Sequence, residues 1–171
     1  MTTYVALLRA VNVGGTGKLS MQQLKELCEQ LGFAKVRTYI ASGNVIFESG
    51  KRERAIKTAL EEALLKHLGK PVGVLVRTAA EMQQVLASNP FAKLQPNRTV
   101  AYFLDDPPPK DALRTIIGAV NEEVRLGKRE IYVHYGDDMA HSKLKIRAAN
   151  AGTARNMNTI AKLAELATAT V

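Results

Sequence analysis

The stretch Tyr4-Val-Ala-Leu-Leu-Arg-Ala-Val-Asn-Val-Gly-Gly15 decides the fold of this chain. Its apolar residues occupy both faces of an extended segment, which predicts a central strand over residues 3–11. Arg9 interrupts this apolar run, and a guanidinium on a central strand needs a carboxylate, carbonyl groups or a ligand anion. Because the strand ends in a glycine turn, Arg9 and that turn are expected at one end of a sheet.

The elements that follow this strand predict a split βαβ arrangement. Ser20 begins a capping-box pattern, which marks the start of a helix. Two strands over about 35–40 and 44–48 are joined by a short connection that contains glycine, so they are predicted to form an antiparallel hairpin. A helix over 52–68 and a strand over 72–77 complete the order β-α-β-β-α-β, which is the ferredoxin-like pattern.

The second part of the chain repeats this pattern in outline. After a short helix that starts at Thr78, we expect a strand, a helix, two strands and a final helix over residues 99–104, 110–120, 122–126, 130–135 and 156–168. The sequence therefore predicts an α+β protein of two ferredoxin-like halves with antiparallel or mixed sheets. The halves are residues 1–78 and 79–171, joined near 78–95 and packed together.

The charge balance favours anionic partners. The 171 residues carry a net charge of +8, with 12 basic and 6 acidic side chains in residues 1–78 and 12 and 10 in the remainder. A basic stretch without an intervening acid is formed by Lys143, Lys145, Arg147 and Arg155. Such a balance suits nucleic acid, nucleotides or other phosphates, although a basic surface without a partner remains an alternative.

The single cysteine, Cys28, falls on the apolar stripe of the first predicted helix. We expect a buried thiol in a reducing compartment, since one cysteine forms no internal disulfide. The N-terminal residues lack the features of a signal peptide, and no apolar run has the length of a membrane span. The cytoplasm is the expected location, without a membrane partner.

Several motifs resemble those of the DUF1697 family of bacterial proteins, a domain of unknown function. They are Tyr4-Val-Ala-Leu-Leu-Arg9, Asn12-Val-Gly-Gly15, Arg37-Thr-Tyr-Ile-x-Ser-Gly-Asn-Val45, Val76-Arg-Thr-Ala79, Ser142-Lys-Leu144 and Ala154-Arg-Asn-x-Asn-Thr159. The resemblance supports the α+β prediction and implies no reaction, substrate or catalytic residue. The family usually has Trp where this chain has Met157, and that ring is either a ligand platform or part of the core.

The turn after the first strand is the first candidate site. Backbone N–H groups at Gly14 and Gly15 can cradle an anion, and Asn12 and Lys18 can add orientation and charge. It is not a Walker A loop, because Lys18 is followed by leucine. A purely structural turn is the alternative.

Arg9 either contacts the ligand or forms a salt bridge across the sheet, for example to Glu48 if the first and third strands are neighbours.

Two further groups of polar residues lie at element ends. Ser42 and Asn44 lie at the tip of the predicted hairpin, where they either cap their own backbone or reach toward the first turn. At the start of the last helix, Arg155, Asn156 and Asn158 can hold a phosphate together with Lys143. The alternative there is an N-cap at Asn156 and a salt bridge between the halves.

The sequence contains none of the usual catalytic sets. Its histidines and its one cysteine lack the spacing of a zinc site, and Gly-x-Ser-x-Gly is absent. We expect neither a metal nor a cofactor, the catalytic residues are unknown, and the oligomeric state stays open. The leading interpretation is a protein that binds a phosphate-bearing or other anionic ligand at a basic site between the halves. A sequence-nonspecific nucleic-acid-binding protein and an enzyme acting on a phosphorylated metabolite are the alternatives.

Overall fold

The computed structural model describes residues 1–9, 19–40, 43–137 and 139–169. Contacts divide the chain into two compact units. The first is Met1–Met82 with Leu163–Val171, and the second is Gln83–Lys162. The boundary between residues 78 and 79 stays a prediction.

The first unit contains a four-stranded antiparallel sheet with the strand order β2-β3-β1-β4. Its strands are β1 (Thr2–Leu8), β2 (Ala34–Thr38), β3 (Asn44–Ser49) and β4 (Val74–Thr78). Helix α1 (Met21–Gln30) joins β1 to β2, and α2 (Glu53–Leu68) joins β3 to β4. This is the predicted split βαβ order, with β1 in a central position.

Local signals define both ends of α1, and the predicted capping box forms at its start. The Ser20 hydroxyl accepts a bond from the Gln23 N–H at 3.0 Å, and the Gln23 side chain accepts from the Ser20 N–H at 2.8 Å. At the other end Gly32 adopts φ +87°, and the N–H of Phe33 bonds back to the carbonyl of Cys28. This is a Schellman motif, in which a left-handed glycine satisfies carbonyls that the last turn leaves open.

The core of the first unit lies between the sheet and the helices α1 and α2. Alternate residues of β1 (Tyr4, Ala6 and Leu8) face this core, while Val5 and Leu7 on the other face are also buried. Burial on both faces explains why the strand is apolar at every position.

The second unit repeats the sheet but not the helices. Its strands are β5 (Thr99–Phe103), β6 (Glu123–Leu126), β7 (Glu130–His134) and β8 (Thr153–Asn156), in the order β6-β7-β5-β8. Helix α3 (Ala79–Ala87) follows β4, and helix α4 (Met157–Thr168) follows β8. The division into units falls within these two helices. The predicted α+β fold with two related halves is confirmed, and both sheets are antiparallel.

The helix predicted over 110–120 is wrong. Only a 3-10 turn forms there, over Ala112–Thr115. Ile117 instead exchanges two backbone hydrogen bonds with Lys145, and Gly118 adopts φ +78°. Val120 is 85% exposed, so the apolar side chains of this segment do not form a buried helical stripe.

In the part of the chain that the structure describes, no helix is both long enough and apolar enough to cross a bilayer.

Candidate functional site

The end of β1 is fixed between its two neighbouring strands. The N–H of Leu8 donates to the carbonyl of Gly43 at 2.9 Å, and the N–H of Arg9 donates to the carbonyl of Gly73 at 2.8 Å. The strand predicted over residues 3–11 thus ends at Leu8, and residues 10 and 11 lie outside the described residues. Arg9 follows the strand and is exposed, rather than lying inside the sheet.

Gly73 provides the surface on which the Arg9 side chain lies. A Cβ atom built at Gly73 would be 3.6 Å from both Cβ and Cδ of Arg9, which is ordinary van der Waals contact. The stem of Arg9 therefore packs against Gly73, the residue that precedes β4. The guanidinium is held near the strand end by this packing.

The hairpin tip lies at this same end of β1. Leu7 pairs with Asn44 in the register, so β3 begins beside the last residues of β1. Asn44 is fully buried, and its side-chain amide donates to the carbonyl of Tyr39 at 2.9 Å. This bond closes the connection between β2 and β3, which is the structural role that the turn pattern predicted. Ser42 lies outside the described residues.

The predicted ion pair between Arg9 and Glu48 is wrong. The strands β1 and β3 are neighbours as assumed, but Glu48 pairs with Thr3 at the opposite end of β1 from Arg9. The carboxylate of Glu48 instead meets Lys35 Nζ at 3.2 Å. The other residues of the first predicted site, Asn12, Gly14, Gly15 and Lys18, lie outside the described residues.

Arg155 is buried in the sheet of the second unit. It lies on β8 opposite Ala101, and only 7% of the residue is exposed. Its Nη1 donates to Thr153 Oγ1 at 2.9 Å and to the carbonyl of Ala154 at 3.0 Å. Burial lowers the pKa of the Arg155 guanidinium to about 10, which leaves it protonated at neutral pH.

Asn156 is the N-cap of α4. Its Oδ1 accepts a hydrogen bond from the N–H of Thr159 at 2.8 Å, which satisfies one of the open donors at the helix start. Asn158 is exposed on the first turn of this helix. Met157 is 2% exposed, so this position belongs to the core and offers no platform for a ligand.

Lys143 lines a cavity of about 410 Å³ in the second unit, which we call the Glu122 cavity. Its walls are Gly118, Ala119, Val120, Asn121, Glu122, Tyr135, His141, Ser142 and Lys143. Two loops form it, and the paired backbone bonds between Ile117 and Lys145 join them. A Cβ at Gly118 would overlap the carbonyl oxygen of Lys143, so the loops approach as closely as glycine allows.

Glu122 connects the two loops through its carboxylate. One oxygen accepts the N–H groups of Val120 and Asn121 at 2.8 and 2.9 Å, and the other accepts the Ser142 hydroxyl. These bonds, that of Ser142 first, lower the pKa of Glu122 to about 2. The carboxylate is therefore ionised at neutral pH.

Tyr135 also lines the Glu122 cavity. Its hydroxyl is hydrogen-bonded to that of Tyr102 at 2.7 Å. Burial, and then the bond to Tyr102, raise the pKa of Tyr135 well above its usual range. The phenol stays neutral at physiological pH and presents a polar oxygen beside an aromatic ring.

A comparison with protein families gives a match over residues 1–132, to the family described as protein of unknown function (DUF1697). The chain belongs to the DUF1697 family. The match covers β1 and the end of that strand, together with Gly118 and Glu122 of the cavity.

The fold of this DUF1697 protein is similar to that of a solved structure, the conserved bacterial protein SP0830 from Streptococcus pneumoniae. The TM-score is 0.80 at 24% sequence identity, over 97% of this chain and 98% of that chain. At this identity the similarity concerns the fold. A comparison with curated proteins found no match.

Neither a reactive cysteine nor a metal-binding cluster is found among the described residues. Cys28 is buried, as the helical stripe predicted, and burial raises the pKa of its thiol to about 12. A thiol in this state is a poor nucleophile. Among the described residues, no three His, Cys, Asp or Glu side chains are grouped in a way that could hold a metal ion.

The sequence analysis missed Glu122, Tyr135 and His141 as neighbours of Lys143. The helix predicted over 110–120 concealed the loop that carries Glu122. One signal was present, since the Ser142-Lys-Leu144 motif places a hydroxyl and a cation next to each other. The motif does not indicate that Ser142 pairs with a carboxylate on a different loop.

Proposed function

We propose that this DUF1697 protein binds a phosphate-bearing or otherwise anionic small molecule at the end of β1. The observation that supports this most directly is the position of Arg9. Arg9 is exposed and follows the buried run Tyr4–Leu8, and its backbone N–H is fixed by a hydrogen bond to the carbonyl of Gly73. Fixed cations at the ends of central strands suit the recognition of anions, because the rigid sheet positions them.

The chain around Arg9 supplies the remaining groups of the proposed site. Leu8 precedes it and Leu19 follows, and both are buried in the core of the first unit. The nine residues between Arg9 and Leu19 include Asn12, Gly14, Gly15 and Lys18. Glycines allow backbone N–H groups to approach a phosphate, and Lys18 adds a second positive charge.

The second unit contributes less to this proposal than the sequence suggested. The Nη1 of Arg155 donates to Thr153 and Ala154, and the side-chain oxygen of Asn156 caps α4. Both arrangements are explained by stability alone. We therefore assign the anion to Arg9 and Lys18, and we expect the net charge of +8 to assist its approach.

The proposal is tested by calorimetric titration with inorganic phosphate, adenosine monophosphate and a short single-stranded RNA. The variants are Arg9→Gln and Lys18→Gln, and the matched control is Arg54→Gln, an exposed arginine on α2. Loss of a hydrogen bond to a charged group costs about 1.5–3 kcal/mol. Arg9→Gln and Lys18→Gln should each weaken binding by about tenfold or more, and the control should not.

The salt dependence distinguishes the ligand classes. A polyanion loses affinity steeply with salt, in proportion to the phosphates contacted, whereas a small anion in a site loses less. A steep slope for RNA, with no binding of the small anions, would replace the proposal by nucleic-acid binding. Equal affinities for the wild type and both variants would refute it.

The buried thiol of Cys28 is consistent with a reducing compartment, and we propose that the protein acts in the cytoplasm.

A further inference from the structure

We infer that the Glu122 cavity binds a small zwitterion of the α-amino acid class, with its ammonium group at Glu122 and its carboxylate at Lys143. This site lies within the second unit and shares no residue with the end of β1. It therefore stands or falls independently of the proposed function.

The cavity has a rigid frame. The two bonds between Ile117 and Lys145, at 3.0 and 2.8 Å, fix its two loops against each other. Gly118 has a positive φ of +78° and leaves no space for a side chain beside Lys143. A frame that is fixed before the ligand arrives reduces the entropy cost of binding.

Glu122 supplies a negative charge whose position is set by the loop. Its carboxylate accepts three hydrogen bonds, from the N–H groups of Val120 and Asn121 and from the Ser142 hydroxyl. A carboxylate has about four acceptor sites, so one more donor can be accommodated. Ser142 and Tyr135 also line the cavity, and an ammonium group with three N–H donors suits a site that contains a carboxylate and hydroxyl-bearing side chains.

Lys143 supplies the opposite charge on the same wall. It lines the cavity next to Ser142, and the residue is exposed, so its side chain is accessible to a ligand that enters from solvent. A lysine on a flexible stem can follow a carboxylate or a phosphate without a fixed geometry. His141 lies on the same loop and also lines the cavity.

Part of the lining is apolar. Ala119 and Val120 line the cavity together with the aromatic residue Tyr135, and Val120 is 85% exposed. Ligand pockets commonly combine an apolar wall with a few fixed polar groups, and a volume of about 410 Å³ lies within their usual range. We therefore expect the side chain of the ligand to lie on this wall.

The two charges together exclude simpler ligands. A plain anion would meet the negative charge of Glu122, and a plain amine would meet the positive charge of Lys143. Like charges brought together in a cavity disfavour binding and so provide specificity. A molecule with both charges places each beside its opposite.

The test begins with the twenty L-amino acids, each added to the full-length protein and followed by the amide signals of residues 118–122 and 141–143 in NMR spectra. The amino acid that binds most tightly is then compared with its decarboxylated amine and with its deaminated acid. We expect the amino acid to bind at least about tenfold more tightly than either analogue. The inference is overturned if no amino acid shifts these signals at about 10 mM, or if either analogue binds as well.

Charge variants provide the second part of the test. Glu122→Gln and Lys143→Gln are compared with Glu123→Gln and Lys145→Gln, which change exposed neighbours that do not line the cavity. Each cavity variant should weaken the amino acid at least about tenfold, while the controls bind as the wild type does.

Binding of the two analogues to these variants shows which charge of the ligand each side chain contacts. Glu122→Gln should remove the disadvantage of the deaminated acid, and Lys143→Gln should remove that of the decarboxylated amine, a crossed pattern that misfolding cannot produce. Lys143→Gln alters only an exposed side chain, so it keeps the test valid if Glu122→Gln fails to fold. Equal effects of the cavity and control variants would refute the inference. Arg9→Gln should leave amino acid binding unchanged.

Discussion

The side chain of Arg37 caps a helix that lies 129 residues further along the chain. Its Nη2, on the edge strand β2, donates to the carbonyl oxygen of Leu166 near the end of α4 at 2.9 Å. The last carbonyls of a helix lack hydrogen-bond donors within the helix and carry a partial negative charge. An arginine there supplies both a donor and a positive charge. Both residues belong to the first unit.

Replacing Arg37 by alanine should therefore lower stability. The expected loss is about 0.3–1 kcal/mol, because the arginine is exposed and its charge is screened by salt. Urea unfolding measures it, with Arg54→Ala on α2 as the matched control. The difference between the two variants should decrease as salt is added. A loss no larger than that of the control would remove the capping role.

The start of α4 offers a matched pair of asparagines. Asn156→Ala removes the N-cap bond to Thr159 and should cost about 1 kcal/mol, whereas Asn158→Ala alters an exposed side chain and should be nearly neutral. Asn156→Asp should keep most of the stability, because aspartate caps helices equally well. Thermal unfolding of the three variants measures the difference. Similar losses for Asn156→Ala and Asn158→Ala would contradict the capping assignment.

Gly118 should be intolerant of a side chain. Gly118→Ala must strain a backbone with φ +78° and also displace the Lys143 carbonyl, for an expected cost of at least about 1–3 kcal/mol. The control is Gly50→Ala, because a Cβ at that exposed glycine meets no atom within 4 Å. Chemical denaturation of both variants tests this, and equal stability would show that the two loops separate readily.

Cys28 should make the protein less stable at alkaline pH. Burial raises the pKa of its thiol from 9.0 to about 12, so between these values the unfolded chain loses a proton that the folded chain keeps. The stability that comes from the protonated thiol is thus present below pH 9 and is lost as the pH rises toward 12.

The measurement compares urea unfolding of the wild type and Cys28→Ala at pH 8 and pH 10. The wild type should lose about 1.4 kcal/mol more than the variant over this interval. Tyr132 and Tyr135, whose pKa values are also raised by burial, are present in both proteins and cancel in the comparison. Parallel losses in the two proteins would show that the thiol does not contribute.

The sequence was informative where the cause of the structure is local. The capping box at Ser20 and the N-cap at Asn156 each depend on residues three positions apart; the first was predicted, and the second was one of two alternatives. The apolar run of β1 likewise predicted a central strand. These elements also predicted the split βαβ order along the first half of the chain.

The failures concern contacts between distant residues. The strands β1 and β3 are neighbours, as was assumed, but the register that separates Arg9 from Glu48 was not foreseen. The segment over 110–120 has helical spacing, yet it forms only a 3-10 turn over Ala112–Thr115, and Ile117 pairs with the distant Lys145. The cavity depends on a hydroxyl and a carboxylate 20 positions apart, Ser142 and Glu122, and a pattern of neighbouring residues carries no such information.

The assignment of Leu163–Val171 to the first unit has a consequence for protein synthesis. These residues leave the ribosome only after the whole of Gln83–Lys162 has been translated, so the first unit is completed last although its synthesis begins first. A nascent chain that has emerged as far as residue 82 still lacks the carbonyl to which Arg37 donates. Completion of the first unit therefore requires translation of the second, and expressing residues 1–82 by themselves would omit part of the unit to which they belong.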